Sequence, residues 1–189
     1  MKRIVIFASG SGTNAENIIK YFNGNPSANV VKVFSNKKDA MVLARAKRLK
    51  VPVASFNREA FTHPEPMLAE LKDSTDFIIL AGFLWKIPAA IIAAFPNKII
   101  NIHPALLPSY GGKGMYGMHV HNAVVKNKET SSGITIHFVN ENYDEGAVIF
   151  QKKVAVLPGD SAEMVASKIH ELEYEYFPKM IEKTMASDE

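Results

Sequence analysis

The chain has 189 residues, of which 47% are hydrophobic and 22% charged, a balance that argues against long disorder and predicts one globular domain over residues 1–189. It has no cysteine, which excludes disulfides, thiolate metal sites and a cysteine nucleophile. The formal net charge is +3, but residues 1–50 carry ten Lys/Arg against two Asp/Glu, so the first quarter raises the question of an anionic partner, either nucleic acid or a small phosphate ester.

Residues 4–8 form a short apolar run typical of a strand buried on both faces. The run stops at Ser9-Gly10, too short for a signal peptide. A helix follows over residues 14–22, with Ala15, Ile18, Ile19 and Phe22 on one face. Residues 30–34 read as a second strand and residues 40–49 as a helix whose outer face carries Arg45, Lys47, Arg48 and Lys50. That basic run has no interleaved aromatic, which predicts a solvated face and no nucleic-acid platform. A weaker strand is expected over residues 51–56 and a helix over residues 64–71, with proline near its start. Residues 77–81 are the most apolar strand, residues 88–95 a short helix and residues 99–102 another strand. The apolar run at 77–85 is far short of the ~18 residues of a membrane span, so a soluble cytoplasmic protein without a membrane partner is expected. This alternation argues for an α/β fold, a mostly parallel twisted sheet with helices on both faces.

The second half reads differently. Residues 104–117 are a loop rich in proline and glycine, and residues 119–126 a short helix. Residues 133–139 and 147–157 are strands joined by a loop over 140–146. Asp160-Ser161-Ala162-Glu163 resembles a capping box, and Val165, Ile169, Leu172, Tyr176 and Met180 then mark a long amphipathic terminal helix. Residues 186–189 are expected to fray.

Three motifs carry chemistry. Gly10-Ser11-Gly12-Thr13-Asn14-Ala15 fits G-x-G-x-x-G/A between a strand and a helix, where free N–H groups and the helix dipole favour an anion. A tight turn without a ligand is the plainer alternative. A dinucleotide site calls for an acidic residue after the second strand, but Ser35-Asn36-Lys37-Lys38 stands there, which disfavours NAD and leaves NADP open. Ser11, Thr13 and Asn14 suit a phosphate monoester. Asn101-Ile102-His103-Pro104 ends a strand; residues two apart share a face, so Asn101 and His103 can converge on one reacting group, a carboxamide for an oxyanion and an imidazole for a proton. Asp144 is the candidate acid to orient that imidazole, and a solvated turn aspartate is an equal reading. His119 and His121 could chelate a metal with His103 or Asp144, but on a helix they point about 100° apart, so no metal is expected. His137, mid-strand, reads as a structural, hydrogen-bonded histidine.

In this order, and with Leu80-Ala81-Gly82-Phe83, Asn101 through Pro108, Tyr143-Asp144-Glu145-Gly146 and Gly159-Asp160-Ser161, these motifs resemble the phosphoribosylglycinamide formyltransferase family, from residue 4 to about residue 178. The resemblance implies a Rossmann-like formyltransferase fold with an antiparallel C-terminal portion. It implies direct transfer of formyl from 10-formyltetrahydrofolate to the amine of glycinamide ribonucleotide, in purine biosynthesis, by a monomer or homodimer. Asn101 would bond the formyl oxygen of the tetrahedral intermediate. His103 would act as general acid/base, and Asp144 would hold His103 and raise its pKa. Gly12, Thr13 and Asn14 would bind the phosphate and Glu173 the ribose hydroxyls. The folate would lie along Leu84, Trp85, Lys86 and Ile87 and the loop of Asn140, Glu141, Asn142 and Tyr143, with Arg58 at its glutamate tail.

Three departures from the family stand out. The loop over residues 111–117 is about five residues longer and holds four glycines, which suggests a mobile lid, with a rigid crossing as the alternative. Trp85-Lys86 replaces the usual arginine after the A-G-F stretch, and the chain stops soon after its terminal helix. A formyltetrahydrofolate hydrolase with the same three catalytic groups is the rival enzyme, for whose extra regulatory domain the length leaves no room. A methionyl-tRNA formyltransferase would likewise need an extra C-terminal domain. A non-enzymatic Rossmann-like nucleotide-binding module is the third reading, and it predicts that Asn101, His103 and Asp144 do not converge.

Overall fold

The computed structural model describes residues 1–188. Seven strands form one sheet: β1 (Lys2–Phe7), β2 (Ala28–Ser35), β3 (Val53–Ser55), β4 (Phe77–Leu80), β5 (Ile99–His103), β6 (Ser131–Phe138) and β7 (Val148–Ala155). Their order is β3-β2-β1-β4-β5-β6-β7. The first five run parallel, and β6 and β7 add antiparallel, as the expected mixed sheet requires.

Alternation along the strands builds two cores. Ile4 and Ile6 of β1 face one side with Phe77, Ile79, Ile100 and Ile102. There they meet α1 (Thr13–Phe22), α2 (Met41–Arg48), α6 (Met118–Lys126) and α7 (Ala162–Ala186). Val5 and Phe7 face the other side with Ile78, Leu80 and Ile99, against α3 (Arg58–Thr62), α4 (Glu65–Ser74) and α5 (Ala89–Ala94). A strand buried on both faces must be apolar at every position, which is why β1 and β4 read as unbroken runs.

The chain leaves β1 toward β2 and β3, then returns to pair β4 on the opposite side of β1. The loops after β1 and β4 therefore part at their C-terminal ends. Such a reversal opens the crevice where open α/β sheets hold ligands. Here the two loops are pinned at their roots: Ser9 N–H donates to the Gly82 carbonyl (3.1 Å), and Leu84 N–H donates to Ser9 Oγ (3.0 Å).

Several local expectations change. Helix α3 lies where no helix was expected. It is five residues long and starts because Asn57 Oδ1 accepts from Ala60 N–H at 2.9 Å. The N-cap of α7 is Ser161, which accepts from Met164 N–H; Asp160 is not the cap and instead accepts from Leu157 N–H and pairs with Lys168. The buried stripe of α7 runs Val165, Ile169, Glu173, Phe177, Ile181, Met185, so Leu172, Tyr176 and Met180 are its half-buried flank. At the terminus α7 includes Ala186, and Asp188 pairs with Lys98 (2.5 Å) and Lys2 (3.5 Å). Glu189 lies outside the described residues.

Candidate active site

A cavity of about 660 Å³ opens at the crevice between the β1 and β4 loops and extends along the end of β5. Its floor is set by register. Asn101 pairs with His137 across β5 and β6, and His103 pairs with Thr135, so Asn101 and His103 project to one side from neighbouring rungs.

Four polar side chains meet there. Asn101 Nδ2 donates to His137 Nε2 at 3.1 Å, and His137 Nδ1–H donates to the Phe138 carbonyl at 2.8 Å. These partners fix the His137 tautomer. The second amide hydrogen of Asn101 is left for the cavity. His103 is 4% exposed; its Nε2–H donates to the Tyr110 carbonyl at 2.7 Å, and its Nδ1 faces Asp144 Oδ2 at 3.6 Å. Asp144 Oδ1 lies 3.7 Å from His137 Nε2, and Asp144 Oδ2 accepts from Gly112 N–H at 2.9 Å. His137 is hydrogen-bonded as expected, through Asn101 and the Phe138 carbonyl, and its ring lies beside Asp144. Its place opposite Asn101 is set by strand register, which the sequence alone does not show.

Asp144 has a positive φ of 56°, a conformation that Asp tolerates better than most residues. Gly146 makes the turn possible. A Cβ there would sit 1.7 Å from the Phe138 carbonyl oxygen, so only glycine lets the loop close and aim Asp144 inward.

Burial pushes the His103 pKa down, and this outweighs the opposing pull of Asp144 and of the Tyr110 carbonyl. Asp144 does pull the His103 pKa upward, as expected, but burial outweighs it, so the ring is neutral at pH 7. For Asp144, burial pushes the pKa up, but the facing His137 and His103 rings and the Gly112 N–H hold it below the usual carboxylate range. The result is a neutral imidazole beside a fixed carboxylate, suited to proton transfer.

The other end of the cavity is formed by the glycine loop and the start of α1, whose free N–H groups suit an anion. Gly12 caps α1 with φ 76°, followed by Thr13 and Asn14 in its first turn. All three line the cavity, as does Glu173 of α7. Glu173 is 5% exposed and accepts from Asn14 Nδ2 and from His170 Nδ1, both at 2.9 Å. That hydrogen bond raises the His170 pKa. His170 and the buried His121 also line the cavity; of the two, His170 escaped the sequence reading, and its spacing three before Glu173 on one helix was the available signal.

Leu84, Trp85, Lys86, Ile87, Asn140, Asn142 and Tyr143 line the wall beside the catalytic cluster. Glu141 and Arg58 do not. Glu141 is exposed at the crest of its loop, and the Arg58 guanidinium stacks 4.5 Å from the Trp85 ring centroid. Arg58 thus reaches the rim through Trp85, a contact worth about 0.5–1 kcal/mol at an exposed site. The glycine-rich loop also lines the cavity from Gly112 to Gly117, and its root is fixed by the Tyr110 and Gly112 bonds to His103 and Asp144. The helix 40–49 is not a plain solvated face: Arg45 Nε donates to the Ser11 carbonyl at 2.8 Å and its guanidinium pairs with Glu16.

Residues 2–181 match the family described as formyl transferase. The chain belongs to the formyl transferase family. This formyl transferase is 37% identical to the phosphoribosylglycinamide formyltransferase of Haemophilus influenzae over 96% of this chain and 86% of that one. It is 39% identical to the chloroplastic phosphoribosylglycinamide formyltransferase of Arabidopsis thaliana, over 95% of this chain and 64% of that one. The chain thus spans under two thirds of the length of that plant relative, and 60% of the one from Vigna unguiculata. The crystal structure of phosphoribosylglycinamide formyltransferase from Bacillus halodurans superposes with a TM-score of 0.89 at 31% identity, covering 100% of this chain and 97% of that one. The mixed sheet of the formyl transferase is shared with these structures. Among its described residues no helix is long and apolar enough to cross a membrane.

Proposed function

We propose that this formyl transferase moves the formyl group of 10-formyltetrahydrofolate to the amine of 5-phosphoribosylglycinamide, giving formylglycinamide ribonucleotide and tetrahydrofolate. It does so in the cytoplasm, with residues 1–189 acting as one catalytic unit. The observation that carries the reading is the convergence of Asn101, His103 and Asp144 in a cavity that also holds an anion cradle. The names of the full-length bacterial relatives point the same way.

In this reading Asn101 donates its free amide hydrogen to the formyl oxygen as negative charge develops there. His103 takes a proton from the attacking amine and returns one to the departing folate nitrogen, and Asp144 stabilises the transient imidazolium. For this step the neutral ring leaves the Tyr110 carbonyl and carries its proton on Nδ1 toward Asp144, so that a bare Nε2 meets the amine proton. Transfer is direct in this reading, with which the absence of a cysteine agrees. Gly12, Thr13 and Asn14 hold the phosphate, and Glu173 accepts from the ribose hydroxyls. The apolar wall of Leu84, Trp85 and Ile87 takes the folate ring, and Arg58 meets its anionic tail at the rim.

The test is tetrahydrofolate release from 10-formyltetrahydrofolate, with and without glycinamide ribonucleotide. Release that depends on the acceptor is expected. Equal release with water alone indicates a hydrolase, and no release in either case removes both enzymatic readings.

A further inference from the structure

The glycine loop of the anion cradle does not hold its own shape. Gly12 has a left-handed φ and so supports no side chain, and a Cβ on it would lie 2.4 Å from Val42 of α2. Helix α2 therefore packs directly on the backbone of the loop. Two hydrogen bonds continue the contact: Val42 N–H donates to the Gly10 carbonyl (3.2 Å), and Arg45 Nε donates to the Ser11 carbonyl (2.8 Å). The same guanidinium pairs through Nη1 with Glu16, in the first turn of α1. Glu16 is only 9% exposed and is shared with Lys20 and Arg48, each at 2.9 Å.

One planar fork thus grips the loop carbonyl and the helix that follows it at the same time. When the carbonyls of Gly10 and Ser11 are drawn toward α2, the intervening N–H groups and those of the first turn of α1 remain for the cavity. These are the groups an anion needs. Bonds from Lys20 and Arg45, then Arg48, hold the Glu16 pKa down to about 2, so the pair stays charged across the working range.

We infer that Arg45, held by Glu16, is a positioning residue that fixes the Ser11–Gly12 backbone in its phosphate-binding shape without touching the phosphate. The inference rests on the reading of Gly12, Thr13 and Asn14 as the phosphate site.

Arg45→Ala and Arg45→Lys separate positioning from simple attraction. A lysine keeps the charge but cannot bond the Ser11 carbonyl and Glu16 together through a rigid fork. Both variants are expected to raise KM for glycinamide ribonucleotide about tenfold, the scale of one lost charged hydrogen bond. KM for 10-formyltetrahydrofolate stays unchanged and kcat falls no more than about twofold. Ribose 5-phosphate, titrated calorimetrically into wild type and variants, reads the cradle without any formyl transfer, so it still decides if the formyl acceptor has been misassigned. Weaker ribose 5-phosphate binding in both variants supports the clamp. Wild-type acceptor KM and wild-type ribose 5-phosphate affinity in Arg45→Ala overturn it. Loss in Arg45→Ala with full rescue by Arg45→Lys also overturns it, in favour of charge alone. A wild type that binds no ribose 5-phosphate removes both the clamp and the phosphate site.

Discussion

At the residue scale the decisive group is His103. Its pKa is pushed below the ordinary histidine value of 6.5 by burial, with Asp144 and the Tyr110 carbonyl opposing. In the proposed reaction the neutral ring accepts the amine proton, so activity should fall as pH drops through this lowered value. The acid limb of kcat/KM is therefore expected below pH 6.5. Asp144→Asn removes a charge that raises the His103 pKa, so in this variant the limb moves to still lower pH while the rate drops. An acid limb above pH 7 in the wild type contradicts the account. The sequence made Asn101 and His103 visible because polar residues interrupting an apolar strand are unusual, whereas Asp144, an ordinary turn aspartate by residue type, was singled out by the family resemblance. It could not show the sign of the His103 shift, because a nearby carboxylate is readable from residue types and desolvation is not. The partner of His137 was not readable for a related reason, since Asn101 lies 36 residues away and meets it only through antiparallel register.

At the scale of elements, the β6–β7 loop controls where Asp144 points. Gly146→Ala places a methyl group 1.7 Å from the Phe138 carbonyl oxygen, which the backbone must move to relieve. Asp144 is intact in this variant but displaced. A displacement of about 1 Å in a catalytic group can cost as much as 100-fold in rate, so kcat is expected to fall at least about tenfold. Steady-state kinetics beside a melting curve checks this, and an unchanged kcat in a folded variant counts against the loop's role. Element type was mostly readable, since unbroken apolar runs mark β1 and β4 and spaced apolar residues mark α1 and α7. Helix α3 was not, because five residues are too short to show a period and only the Asn57 cap announces them. The α7 stripe was misread by one flank for a physical reason: a buried carboxylate, Glu173, occupies the position where an apolar residue was sought.

At the scale of the molecule, a set of carboxylates ties distant segments together. Glu16 joins α1 to α2, Asp76 joins Arg3, Asp160 joins Lys168, Glu182 accepts from Tyr21 and Asn25, and Asp188 joins Lys98. Every one of these acids has its pKa lowered in the folded chain, Glu16 to about 2. A depressed acid contributes stability above its unfolded pKa and loses it as pH falls toward the folded value. The Tm is therefore expected to be level near neutrality and to decline as pH drops from about 4.5 toward 2. Glu16→Gln should lower Tm at pH 7 and flatten part of that decline. Solvent screening at its partners limits the change to about 1 kcal/mol. A Glu16→Gln profile parallel to the wild type between pH 5 and 2 contradicts this assignment.

The same view of the whole molecule changes the meaning of the basic first quarter. Part of that charge is spent internally, with Arg45, Arg48 and Lys20 gathered on Glu16 behind the anion cradle. The central claim is that one cavity brings a formyl donor and a phosphorylated amine together for direct transfer by Asn101, His103 and Asp144. The most direct measurement follows the formyl carbon itself. 10-Formyltetrahydrofolate carrying a ¹³C formyl group is incubated with the protein and glycinamide ribonucleotide, and the label is traced by NMR. The account predicts that the label appears on the glycinamide nitrogen at the rate of tetrahydrofolate release, with no formate. Label recovered as formate, or left on the folate, contradicts it.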